Sequence, residues 1–321
     1  MLKYVARRIL QMIPVFFGVT VILFILRAPG VLPGDPIEML TGDRVISEVT
    51  YNQLVQKHGL DQPLYVQYVT YMKNLFKGDL GLSYKKNRSV TEIFVEKYPY
   101  TLRLALAAIL IEMIVGLSVG IISAVKRYSF WDVAVTLSTS ILVSLPVFWL
   151  GMLMQVLFGI YFKRWGLPYL PISGMGNPPD LAHLIMPAIT LASVSTAYVA
   201  RIMRSQMIDV SQQDYIRTAE AKGLKGGAVV RKHALKNALI PVVTFIGIDL
   251  GAMLAGAILT ETVFNWPGIG YEIYLAITAR DWPIVTGGVV IVVIAYMIIN
   301  LLVDVSYAFL DPRIRYGGEA A

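Results

Sequence analysis

Leu102–Ala124 reads LRLALAAILIEMIVGLSVGIISA, twenty-three residues of which two are charged. A helix rises about 1.5 Å per residue, so about 20 residues cross the roughly 30 Å hydrocarbon core of a bilayer. Five further segments qualify: Ile9 to Leu26, Val133 to Phe162, Leu184 to Met203, Leu239 to Phe264 and Ile284 to Leu310. The pattern predicts an all-α integral membrane protein with six transmembrane helices. The third segment holds Pro146, which has no N–H to donate, so a kink or break is expected there. Lys3, Arg7 and Arg8 precede the first run as in a signal peptide, but the run is too long and Arg27-Ala28-Pro29-Gly30 is a poor cleavage site. The first helix is therefore read as retained.

Composition excludes the main alternatives. Of 321 residues, 56% are hydrophobic and 15% charged, against roughly 25% charged in an ordinary soluble domain. A water-soluble enzyme, a nucleic-acid binder and a disordered chain all fit poorly. The net charge of +7 is read as basic loops on the cytosolic side of a membrane. The chain has no cysteine, so neither disulfides nor thiolate ligation of a metal is available.

Orientation follows from the short loops. With the N-terminus in the cytosol, the inner segments carry Lys3, Arg7, Arg8, Lys126, Arg127, Arg201, Arg204, Arg217, Lys222, Lys225, Arg231, Lys232, Lys236, Arg313 and Arg315. The short outer loops carry Lys163, Arg164 and Arg280, which makes fifteen cations against three. Both termini are expected in the cytosol. The domain organisation is then residues 1–27 as the N-terminal segment and first helix, 28–100 as a lobe outside the membrane, and 101–321 as a core of five helices. In the lobe, Pro33-Gly34-Asp35-Pro36 reads as a turn. Tyr65, Tyr68, Tyr71 and Met72 suit one helix face, which Gly78-Asp79-Leu80-Gly81 ends. The inner segment 205–238 is too regular for a linker. Ser211-Gln212-Gln213-Asp214 has a capping-box pattern, Gly223, Gly226 and Gly227 would stop the helix it opens, and Ala228 to Ala238 can form a second helix. Pro241 is then expected in the first turn of the next span.

Little in the chain carries catalytic chemistry. No Gly-Lys dipeptide exists, so there is no phosphate loop of the Walker A kind. His58, His183 and His233 form no metal-spaced pair. Gly116-Leu117-Ser118-Val119-Gly120 matches the Gly-x-Ser-x-Gly pattern of hydrolases, which would make an intramembrane serine protease. No histidine lies at the depth of Ser118, whereas Gly116 and Gly120 also suit close helix packing. Gly247, Gly251 and Ala255 form a second small-residue stripe, suited to packing within the chain or on a homologous partner. Glu112, Asp249 and Asp304 are carboxyls inside the spans. At such depth a carboxylate is costly unless it faces a cavity or a partner. These three either line a substrate path or lock helices together by hydrogen bonding. A proton-coupled secondary transporter would use such groups too.

The 205–238 segment separates the transport classes. Asp214-Tyr215-Ile216-Arg217-Thr218-Ala219-Glu220-Ala221-Lys222-Gly223-Leu224, followed by His233-Ala234-Leu235-Lys236-Asn237-Ala238 and Pro241, resembles the "EAA" loop of ABC importer permeases. It is most similar to the loop of the peptide and nickel branch, the family of dipeptide and oligopeptide permease B subunits. The resemblance covers almost the whole chain. It includes Pro33-Gly34-Asp35-Pro36, Gly59-Leu60-Asp61-Gln62-Pro63-Leu64, Gly78-Asp79-Leu80-Gly81, Ala255-Gly256-Ala257-Ile258-Leu259-Thr260-Glu261, Trp266-Pro267-Gly268-Ile269-Gly270 and Asp311-Pro312-Arg313-Ile314. Arg217 stands where the general pattern has a glutamate, so no single acidic contact is carried over, while Thr218 and Ala219 keep that pattern's small residues.

The resemblance implies a fold of the type I ABC importer kind in the cytoplasmic membrane of a bacterium or archaeon. It implies a second, homologous permease subunit, two cytosolic ATPases that bind ATP and magnesium, and an extracytoplasmic substrate-binding protein received by the 28–100 lobe. This chain itself needs no cofactor. The cargo implied is a di- or oligopeptide, with nickel and oligosaccharides carried by other members of the branch. The coupling loop would present Asp214, Tyr215, Arg217, Thr218, Ala219, Ala221, Lys222, Gly223, Leu224 and His233 to the ATPase. Small residues would let the backbone approach the motor, and Arg217, Lys222 and Lys225 would meet its carboxylates. Read without the resemblance, the same segment is a basic amphipathic helix resting on anionic lipid.

Overall fold

The structure, a computed structural model, describes residues 2–27, 37, 41, 47–57, 59–177 and 179–310. Pro33-Gly34-Asp35-Pro36, His58, Asp311-Pro312-Arg313-Ile314 and Arg315 lie outside the described residues. Among the described residues the regular structure is helical, apart from one antiparallel bridge between Leu82 and Ser89. Six helices are long and apolar enough to cross a membrane: Val5–Leu26, Val90–Val125, Val147–Arg164, Leu181–Ser211, Gly226–Leu254 and Trp282–Ser306.

In chain order the helices are α1 (Leu2–Arg27), α2 (Glu48–Lys57), α3 (Leu64–Phe76), α4 (Val90–Val125), α5 (Phe130–Ser144) and α6 (Val147–Arg164). They continue with α7 (Leu181–Ser211), α8 (Asp214–Ala221), α9 (226–256), α10 (Ile258–Phe264), α11 (Ile269–Ala279) and α12 (Trp282–Leu310). The expected break in the third span is present. Leu145 is extended, Pro146 caps the start of α6, and α6 is the piece long enough to cross.

Two local expectations need correction. The capping box at Ser211 does not form. Ser211 is still the last helical residue of α7, and its hydroxyl donates to the Met207 carbonyl at 2.6 Å. A side chain engaged with the preceding turn is not free to cap the next helix. Gln213 caps α8 instead, with no side-chain bond. The second inner helix is also not separate from the fifth span. Helix runs from Gly226 through a wider turn at Val230–Ala234 and on past Pro241 to Gly256. No turn residue interrupts 228–240, and the fixed φ of proline is itself helical.

The chain forms two compact units. Among the described residues, one holds 102–266 with 298–310, and the other holds those of 2–101 with 267–297. In the first unit α7 is the spine. A Cβ on Gly116 would lie 2.7 Å from Cγ1 of Val199, and one on Gly120 would lie 2.6 Å from the Ala200 carbonyl oxygen. Both positions thus allow α4 to approach α7 at distances no other residue permits. Ala234, Ala238, Val242 and Ile246 of α9 share a buried cluster with Val199, Met203 and Met207 of α7. Gly247 abuts Val303 of α12, so the stripe on α9 is filled at that point by the chain's own last helix.

In the second unit Val90, Ile93 and Phe94 pack with Ile269, Ile273, Ala276 and Ile284. Tyr68, Tyr71 and Met72 of α3 pack in a cluster with Phe16, Leu23 and Val290, while Tyr65 is exposed. Asp281, 1% exposed, accepts from the Ser83 hydroxyl and from the backbone N–H groups of Tyr84 and Lys85, both at 3.2 Å. Lys86 pairs with Glu272 of α11. These contacts pin the 83–89 turn to the α11–α12 corner.

Candidate functional site

The 205–238 segment is built on two buried anchors. α8 has eight residues, too few to be stable alone in water. Its position comes from Ile216 and Ala219, 3% and 7% exposed, in one cluster with Met207, Val229 and Ala234. Asn237 also donates to the Tyr215 hydroxyl at 2.8 Å. Gly223 closes the helix at φ +80, where a left-handed backbone favours glycine. Nothing lies within 4 Å of a Cβ placed there. Its role is therefore the turn and not a close approach within this chain.

The remaining residues of α8 and its turn face outward. Asp214, Tyr215, Arg217, Thr218, Ala221, Lys222, Gly223 and Leu224 are all exposed. Arg217 and Asp214 stand 3.9 Å apart with exposed side chains, a pair worth little in water. The side chain of Ala219 is small because it packs inward beneath α8. His233 is half-buried in the wider turn of α9.

A clamp just before α8 carries no signal in any motif. Asp132, 4% exposed, accepts from Arg204 Nε at 2.7 Å and from its terminal nitrogen at 2.9 Å. It also accepts from the Ser123 hydroxyl at 2.6 Å and from the Tyr128 N–H at 2.9 Å. The Arg204 guanidinium, then the Ser123 hydroxyl, hold the Asp132 carboxyl well below the usual carboxylate range. A depressed carboxyl stabilises the fold above its ordinary value near 4 and loses that contribution only as pH falls through the lower, folded value. The tie between α4, α5 and α7 therefore persists at neutral and mildly acid pH. In the sequence Arg204 registers as one more cation of a basic segment. The available signal was an acid and a base at the ends of neighbouring spans.

The intramembrane carboxyls are brought together in part. Glu112 opens a wider helical turn at Glu112–Gly116, is 0% exposed, and its carboxyl oxygens meet no hydrogen-bond partner other than the carboxyl of Asp249. Asp249 of α9 is its electrostatic neighbour, with Ser195 of α7 beside Asp249. One Asp249 oxygen and the Thr196 hydroxyl are likewise buried without partners. Two like charges so placed repel. The arrangement is suited to holding one proton between the carboxyls or to meeting a cationic group from outside the chain. Asp304 is half-buried on α12, next to Val303. Ser118 is exposed on α4, while His183 lies at the start of α7 against Asp180 and His233 lies in the turn of α9. The structure therefore assembles no serine–histidine pair from them, and Gly116 and Gly120 act in packing.

Comparison with known proteins adds to this geometry. Residues 116–316 match the family of binding-protein-dependent transport system inner membrane components, and residues 1–105 match that family's N-terminal region. The di/tripeptide transport system permease protein of Pseudomonas aeruginosa is 40% identical over 98% of this chain and 99% of its own length. A probable D,D-dipeptide transport system permease protein of Escherichia coli is 43% identical over 94% of each. An oligopeptide transport system permease protein of Bacillus subtilis is 35% identical over 98% of this chain and its own full length, 100%. A solved inward-facing structure of the methionine ABC transporter MetNI overlays 68% of this chain and 96% of its own, with a TM-score of 0.53 at 19% identity. That overlay is a likeness of fold.

Proposed function

The chain belongs to the family of binding-protein-dependent transport system inner membrane components, and from that premise we propose that it is the peptide-conducting permease subunit of an ATP-driven importer. The cargo is a di- or oligopeptide moved into the cell. The observation that carries the cargo class is identity of 35–43% over nearly the full length of permeases named for di/tripeptides, dipeptides and oligopeptides. ATP and magnesium act in two separate cytosolic subunits, a second homologous permease completes the pathway, and an extracytoplasmic binding protein delivers the peptide. The 28–100 region receives that protein, 101–321 forms the conducting core, and both termini lie in the cytosol.

In this reading the exposed side of α8 docks on an ATPase. Tyr215 and Leu224 offer apolar contact, Arg217 and Lys222 meet carboxylates, and Asp214, Thr218, Ala221 and Gly223 complete the surface. Ala219 holds the loop from beneath, and half-buried His233 stands at the edge of the same surface. Closure of the ATPases on ATP moves α8, and the Asp132–Arg204 clamp carries that movement from α7 into α4 and α5. Glu112 and Asp249 belong to the translocation path together with Asp304. The carboxyl pair would meet the ammonium of a passing peptide when the path opens.

The test is reconstitution of the complete complex in vesicles with the binding protein supplied outside. ATP-dependent uptake of a labelled dipeptide is expected, and the chain without its ATPases should neither hydrolyse ATP nor accumulate peptide on a proton gradient. Uptake driven by a proton gradient in vesicles holding this polypeptide alone would overturn the reading. Topology is tested separately. Cysteine introduced at Lys85 of this cysteine-free chain should react with an impermeant thiol reagent on intact cells, and cysteine at Lys225 should react only after lysis. Labelling in the reverse pattern would invert the orientation.

A further inference from the structure

We propose that the groove at the C-terminal end of α6 is a binding site for one phospholipid with an anionic headgroup. The groove encloses about 460 Å³ and is lined by α6 and the loop that follows it. Gly159, Ile160, Leu170, Pro171 and Ile172 make an apolar wall, and Lys163 and Arg164 stand at its rim. Apolar surface with cations at one end matches an acyl chain that ends in a phosphate.

The groove is a built feature. A Cβ on Gly159 would collide with the Ile172 side chain, so glycine lets the loop close against α6. Gln155 of α6 donates to the Ile172 carbonyl at 2.7 Å, and the Leu170 N–H donates to the Phe158 carbonyl at 3.1 Å. The loop is thus hydrogen-bonded along the helix that it faces. Ile160 and Ile172 nevertheless remain exposed.

The rim charges are available. Lys163 lies over the Tyr169 ring at 5.3 Å, and no carboxylate among the described residues forms an ion pair with Lys163 or Arg164. Their depth suits a headgroup. α6 has 18 residues, enough to cross, and these cations are its last two. Tyr161 stacks on Trp165 at 5.4 Å beside them, and amphipathic rings of this kind settle at the membrane–water boundary. Short apolar helix, interfacial aromatics and two cations without a carboxylate among the described residues together place a lipid phosphate within reach of the rim while its chain lies along Gly159 and Ile160.

The measurement is native mass spectrometry of the full-length chain, purified with its co-purifying subunits and exposed to equal amounts of phosphatidylglycerol and phosphatidylcholine. Retention of phosphatidylglycerol over phosphatidylcholine by about twenty-five-fold is expected, since each of the two cations contributes about a fivefold preference for an anionic lipid. Lys163→Gln with Arg164→Gln should bring the two lipids to parity, and Lys163→Arg with Arg164→Lys should keep the preference. Equal retention of both lipids by the unaltered chain would overturn the proposal. So would a preference unchanged by removing both charges, or retention of neither lipid because a partner subunit fills the groove.

Discussion

Ala219→Glu is expected to abolish peptide uptake by the assembled importer, together with stimulation of its ATPase by loaded binding protein. Ala219 is one of two buried residues that hold α8 to the rest of its unit. A glutamate there either carries an unpaired charge into an apolar cluster or pulls the helix away from it. Leaving a charge buried without a partner costs about 3–5 kcal/mol, and an eight-residue helix has no stability of its own to set against that. Undocking should be visible before any transport is measured. Trypsin should cut at Arg217 and Lys222 about a hundredfold faster in the variant, the fold-change that roughly 3 kcal/mol of lost docking implies. The spans are untouched, so the chain should still insert. Ala219→Ser, which keeps the size, should behave nearly as the unaltered chain. Gly223→Ala should have a smaller effect, because the space is open and the cost is the left-handed backbone alone, about 1–2 kcal/mol. Near-normal uptake and ATPase stimulation with Ala219→Glu would show that α8 is not the coupling element.

Asp132→Ala is expected to lower the thermal midpoint of the complex by several degrees and to depress uptake with it. The substitution removes every acceptor that Arg204 Nε and its neighbouring nitrogen use, and leaves that guanidinium 30% exposed and unpaired. It also frees the Ser123 hydroxyl and the Tyr128 N–H, the latter in a turn where Tyr128 adopts φ 62. Breaking a fully buried pair from one side costs about 3–5 kcal/mol, an upper bound for this part-buried pair, whereas replacing both partners is often close to neutral. Asp132→Ala with Arg204→Met should therefore recover much of the midpoint. If the double variant also recovers uptake, the clamp acts by holding helices together. If stability returns and uptake does not, the charges themselves are needed for transmission. A single variant indistinguishable from the unaltered chain would reduce the clamp to a surface ion pair, worth 0–1 kcal/mol.

The sequence by itself determined the class of this protein. Runs such as Leu102–Ala124 are too apolar to lie exposed to water, so the number of crossing helices and the break at Pro146 were legible from hydropathy and one missing N–H. The 214–224 motif and its glycine turn were legible for the same reason: backbone requirements are local, and φ +80 at Gly223 selects glycine whatever surrounds it. What lies beneath α8 was not legible. Ala219 reads as a small residue for an outside contact until tertiary packing turns it inward onto Val229 and Ala234. The Asp132–Arg204 clamp and the meeting of Glu112 with Asp249 join residues far apart in the chain. Helical periodicity sets which residues share one face of one helix, but the face that meets another helix is chosen by close packing across the unit. Glycines at 116 and 120 let α4 settle on α7, and α9 packs on the same spine. That three-dimensional fit, and no property of either segment alone, brings those pairs together.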